Sequence, residues 1–97
     1  MDKLRNDETT ALFSAILTLK NIDECYDFFE DLCTAAELVA MSQRLAVAKM
    51  LAAKHNYQEI SKKTGASTAT ISRVAKCLSY GKDGYSLVLD RLSASDR

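Results

Sequence analysis

The sequence predicts an all-α fold of about six helices, and three observations carry that prediction. Ninety-seven residues contain no proline and only three glycines, so the chain has few forced interruptions. Polar residues suited to helix starts recur ahead of apolar residues spaced three and four apart. No stretch alternates apolar and polar over more than a few positions, as a half-buried strand would. The length suits one domain, residues 1–97, or part of one completed by a partner chain.

Asn6 or Asp7 can cap a first helix running to about Lys20, with Leu12, Phe13, Ile16, Leu17 and Leu19 as its apolar residues. Asn21-Ile22-Asp23 breaks it. Asp23 can then cap a second helix through Leu32, where Tyr26, Phe29 and Leu32 recur at spacing three. Thr34 and Glu37 have the form of a capping box and open a long third helix to about Lys54. Leu38, Met41, Leu45, Ala48 and Leu51 form its expected stripe. Asn56, with Glu59 three residues later, starts a short fourth helix ending near Thr64. Gly65 follows, and Ser67 caps a fifth helix to about Ser79. Gly81 stands where a helix ending favours a positive φ. A last helix spans about Tyr85 to Leu92, leaving SASDR as a tail.

No run reaches eighteen apolar residues and the leading MDKLRNDETT is polar, so the reading is a cytoplasmic protein with neither signal peptide nor membrane span. Cys25, Cys33 and Cys77 are odd in number and form no CxxC pair; buried free thiols are expected. His55 is the sole histidine and lacks a second ligand for zinc, so it reads as a loop residue. Net charge is zero, but residues 1–40 hold three basic and nine acidic side chains, net −6. Residues 41–79 hold seven basic and one acidic, net +6. The division suggests a basic face turned to a polyanion, with the acidic part kept away from it.

The basic segment falls on ISKKTGASTATISR, residues 60–73, where a short helix, a glycine turn and a second helix match a helix-turn-helix unit. Ile60, Ile71 and Val74 are expected to face inward and lock the two helices. Ser67, Thr68, Ala69, Thr70 and Ser72 are small, which lets the second helix approach a duplex closely. Lys62, Lys63, Arg73 and Lys76 flank them. With Gln58 and Ala66, these residues make up the expected DNA-binding set.

The stretch Thr34 to Leu78 resembles the tryptophan repressor, and the whole chain resembles the YerC/YecD branch of Trp-repressor-like proteins. Thr34 with Glu37, MSQRLAVAKML on the long helix, and TGASTATISR in the motif carry the likeness. The resemblance implies an intertwined homodimer with recognition helices about 34 Å apart on double-stranded, palindromic DNA. It divides the chain into dimerisation helices (1–33), core and DNA-binding motif (34–79), and C-terminal helix and tail (80–97). Much of the dimer interface would then come from residues 4–33 and 85–92. It also implies an effector pocket, to which Thr34, Arg44 and Arg73 would correspond. Val74 stands where the family has a glycine and would fill the space for an indole, and Cys77 replaces a serine. The reading therefore expects no cofactor and disfavours tryptophan, leaving another small effector open.

An enzyme is not expected, because no nucleophile–base pair, glycine-rich phosphate loop or metal-ligand spacing is present. The expected function is a sequence-specific transcriptional regulator, a repressor by resemblance. The alternative is a helical interaction module that meets the transcription machinery through its acidic first forty residues.

Overall fold

The computed structural model describes residues 3–95; Met1, Asp2 and the final two residues of the SASDR tail lie outside this range. The described residues form six helices and no strand: α1 Asp7–Ile16, α2 Ile22–Leu32, α3 Ala35–Ala52, α4 Tyr57–Thr64, α5 Thr68–Tyr80 and α6 Gly84–Ser95. The predicted fold class is therefore correct, and the first part of the expected tail is the last turn of α6.

The Asn6 side chain caps α1 by accepting the Thr9 N–H at 2.9 Å. The helix ends at Ile16, four residues before the expected Lys20. The Thr18 hydroxyl donates to the Ala15 carbonyl at 2.7 Å, and Leu19 N–H reaches back three residues to Ile16, tightening the ending. Asn21, not Asp23, caps α2. Its side chain accepts the Glu24 N–H at 2.9 Å, while the Glu24 carboxylate accepts the Lys20 N–H at 2.9 Å. Asp23 lies inside the first turn, where its charge complements the helix dipole.

The Thr34–Glu37 box is present in both directions. Thr34 N–H donates to the Glu37 carboxylate at 2.8 Å, and Glu37 N–H donates to the Thr34 hydroxyl at 3.1 Å. The Thr34 backbone N–H first, then its hydroxyl, hold the Glu37 carboxyl below the ordinary carboxylate range. At its far end α3 closes in a Schellman motif: His55 N–H reaches the Met50 carbonyl at 3.1 Å and Lys54 N–H reaches Leu51 at 3.0 Å. The left-handed position of that motif, usually glycine, is held by Lys54 at φ 69°.

The chain divides into two compact units, one through Leu38 and one from Val39 onward. In the first, no described residue is buried; Leu17 is 85% and Ile22 73% exposed. The second has a core of Val47, Ala48, Ile60, Ala66, Ile71 and Val74, flanked by Met50, Leu51, Leu78, Tyr85 and Leu89. Within it α5 packs against both α4 and α6. The expected stripe of α3 is corrected here, since Val47 is fully buried while Met41 is exposed. Residues 45–52 are apolar at almost every position, so periodicity could not choose the inward side.

Two further expectations are corrected. The cysteines are free thiols, but Cys25 and Cys77 are exposed and Cys33 half-buried. Gly81 has φ −81°, not a positive value. Its need for glycine is space: a Cβ there would run into the Cys77 carbonyl oxygen. The positive φ of that connection belongs to Asp83, at 64°.

Candidate nucleic-acid interface

The helix pair at residues 57–80 is built from local signals. Asn56 and Glu59 form a reciprocal capping box at the start of α4: the Asn56 side chain accepts the Glu59 N–H at 2.9 Å, and Asn56 N–H donates to the Glu59 carboxylate at 3.2 Å. The second Glu59 carboxylate oxygen lies 3.1 Å from His55 Nδ1. That hydrogen bond first, then the Asn56 backbone N–H, lower the Glu59 carboxyl below its ordinary range. His55 is thus in the loop, as expected, with a partner that sequence reading did not assign.

α4 ends at Gly65, whose φ of 76° reverses the chain and whose N–H donates to the Ser61 carbonyl at 2.8 Å. Ser67 caps α5. Its hydroxyl accepts the Thr70 N–H at 3.1 Å and donates to the Thr70 hydroxyl at 3.2 Å. Between the caps, Ala66 N–H donates to the Thr64 hydroxyl at 3.1 Å, and the Ser61 hydroxyl donates to the Ala66 carbonyl at 2.9 Å. The Gln43 amide of α3 donates to the Thr64 carbonyl at 3.2 Å. Sequence reading missed these three side chains. Ser61 and Thr64 look like ordinary helix surface, and Gln43 is 21 residues from its partner.

Ile60, Ile71 and Val74 are buried as expected and hold α4 against α5. The opposite side of α5 is exposed. Thr68, Ser72 and Lys76 recur there at spacing four, and Ala69 and Arg73 make a neighbouring row. On α4, Gln58 and Lys62 share a row and Lys63 adjoins it, all exposed. Ser67 is exposed and Thr70 half-buried. Ala66 is different: at 2% exposure its methyl lies in the core, so its expected place among surface-reading side chains does not hold. A small side chain is needed there because the turn passes directly over the core.

Among the described residues no carboxylate lies within ion-pairing distance of Lys62, Lys63, Arg73 or Lys76, and the one such contact, His55–Glu59, is an ion pair only when the imidazole is protonated. An open groove lies beside α4, lined by Met50, His55, Glu59, Lys62 and Lys63. The region presents unpaired cations around small hydroxyl side chains, an arrangement that can accept an anionic partner but offers no nucleophile–base pair. No cluster of three metal-ligating side chains exists among the described residues. Nor is any described helix long and apolar enough to cross a membrane.

The residues assigned to an effector pocket are placed as follows. Val74 is 1% exposed, Arg44 is half-buried, and Arg73 and Cys77 are exposed. The Thr34 hydroxyl is occupied by the cap of α3.

The model of the family described as "Trp repressor protein" matches residues 7–93. The chain is 52% identical over 96 residues to the uncharacterised protein YerC of Bacillus subtilis strain 168, covering 99% of this chain and 92% of that one. It is similar to the crystal structure of a TrpR-like protein from Eubacterium eligens ATCC 27750, with TM-score 0.91, 56% identity and 94% of each chain covered. It is equally similar in fold to a candidate Trp repressor from Staphylococcus aureus: TM-score 0.91, 53% identity, 94% of this chain and 91% of that chain covered. With six helices, a buried helix-turn-helix seam and a family match across nearly its whole length, the chain belongs to the Trp repressor family, in its YerC-like branch.

Proposed function

We propose that this chain is a cytoplasmic, sequence-specific DNA-binding regulator, and a repressor, which places α5 in the major groove of a palindromic site. One observation carries the reading. α5 buries Ile71 and Val74 behind a left-handed glycine turn and exposes Thr68, Ala69, Ser72, Arg73 and Lys76 on its other side. A helix so anchored can present hydroxyls, methyls and cations to base edges and phosphates together. Lys62 and Lys63 on α4 extend the cationic margin.

The functional unit is a homodimer acting as one domain. Residues 3–38 contain two well-capped helices, yet none of these residues is fully buried. Exposed Phe13, Leu17, Ile22 and Tyr26 in that unit, and Leu87, Val88 and Leu92 on α6, supply apolar surface for a second copy. Tryptophan is not its effector, and no small molecule is required. Val74 occupies the core with its own branched side chain and supplies the packing that an indole would supply.

Selection of bound duplexes from a random pool tests the reading. The expected product is a palindrome with half-sites one helical turn apart, preferred over random duplex by about 10³ or more. If six phosphates are neutralised, log K falls with log salt at a slope of about −5. Thr70→Ala should flatten sequence preference more than it lowers overall affinity, whereas Lys62→Ala should weaken binding to every sequence alike. Equal, weak retention of all duplexes would remove the regulator reading. It would favour the second one, an interaction module acting through the acidic, apolar-exposed first unit.

A further inference from the structure

The turn between α4 and α5 is held by side chains that belong to neither the exposed face of α5 nor the apolar core. Ala66 links the two helices, standing immediately before the Ser67 cap. Both ends of its backbone unit are taken by hydroxyls of α4: Thr64 Oγ1 accepts its N–H at 3.1 Å, and Ser61 Oγ donates to its carbonyl at 2.9 Å. Thr64 is fixed in turn, since its hydroxyl donates to the Ile60 carbonyl at 2.7 Å. Its own carbonyl accepts the Gln43 amide at 3.2 Å, which ties the turn to α3. All three side chains are half-buried, where a broken hydrogen bond leaves a poorly solvated polar group behind.

We propose that Gln43, Ser61 and Thr64 are positioning residues that set the pitch of α5. Thr64 and Ser61 make Ala66 move with α4, and Gln43 makes the end of α4 move with α3. α5 then has no hinge between its cap and the scaffold. The Ala66 methyl, buried beneath the turn, prevents the same segment from lifting. The value of the lock for DNA recognition rests on the function proposed above. The lock itself does not.

Amide hydrogen exchange of the full chain, measured by NMR without added ligand, tests the proposal. In the natural protein the Ala66 amide should exchange as slowly as the amides of the α5 core. Gln43→Met keeps side-chain length and removes the donor. It should speed Ala66 exchange about tenfold, while the Ile71 and Val74 amides change less than about twofold. Thr64→Val, nearly isosteric, should do the same and stands in if Gln43→Met fails to fold. A merely stabilising role would accelerate all these amides together, and that result overturns the proposal. So does unprotected Ala66 in the natural protein, or an unchanged rate in both variants. On the selected palindrome, Gln43→Met should lower the specific-to-random preference about tenfold and leave affinity for random duplex unchanged, because Gln43 lies off the DNA-facing rows. If the natural protein prefers no duplex, the regulator reading fails, and the Ala66 exchange still decides the lock.

Discussion

The unit through Leu38 and the unit from Val39 onward are equally helical but are made in different ways. The first has caps at Asn6, Asn21 and Thr34, a surplus of acidic side chains and no buried residue among those described. The second has equally good caps, a basic surplus and a closed core of six residues around which α4, α5 and α6 are arranged. Capping and periodicity suffice to form a helix. Burial decides whether it can stand alone, since isolated helices of ten or eleven residues are marginal in water. The first unit is therefore the part of the molecule whose stability must come from elsewhere, and a second copy is the source proposed above.

The comparison sharpens most at the core. Ile71→Ala removes a fully buried side chain and should destabilise the protein by about 3 kcal/mol in urea unfolding monitored by circular dichroism. An equivalent loss from Leu17→Ala at concentrations where the protein is monomeric would erase the distinction between the units. Charge placed on the first unit should act on assembly instead. Leu17→Glu with Ile22→Glu should move the sedimenting mass from twice 10.7 kDa to a single chain, and unchanged mass would exclude this surface from the dimer.

Smaller effects separate the caps. Thr34→Ala should cost about 1 kcal/mol through loss of the box that starts α3. The box also has a pH signature. Glu37 and Glu59 both have depressed carboxyl pKa values, so the stability they contribute is present above the ordinary carboxylate value near 4.5. It is lost as pH falls through their lowered folded values. Glu37→Gln should therefore flatten the acid limb of a stability–pH curve, and an unchanged limb would discount the Glu37 carboxylate. The smallest effect belongs to Lys54→Gly, which relieves a left-handed lysine at the end of α3. The unfolding free energy should rise by about 0.5 kcal/mol, read as a higher urea midpoint at constant slope, net of glycine's greater chain entropy.

What could be read from the sequence was mostly local. Asn56–Glu59, Thr34–Glu37, Gly65 and Ser67 announce themselves because cap and partner lie three residues apart, and α4 and α5 begin where those signals place them. Ile60, Ile71 and Val74 were legible as the inward residues because polar neighbours leave them a single apolar side. The end of α1 was not, because no glycine or proline marks it and a threonine hydroxyl does the work. Asp23 competed with Asn21 as a cap, and only geometry distinguished them. Val47 was hidden in an apolar run, and Ala66 among small surface residues. Gln43 had no local signal, since its partner lies in another helix.

The burial of Ala66 and Val74 has a mechanical consequence. α5 is 13 residues long, about 20 Å, and it is seated on Ile71 and Val74, with Ala66 under the turn that leads into it. It behaves as a beam resting on shims. Thickening one of them by a methyl or two would tilt the helix and move Lys76 without altering a single residue on the exposed face. Under the function proposed above, exchanging alanine, valine or glycine beneath the beam would change which spacing of phosphates it meets, a route to new targets that no comparison of surface residues would detect.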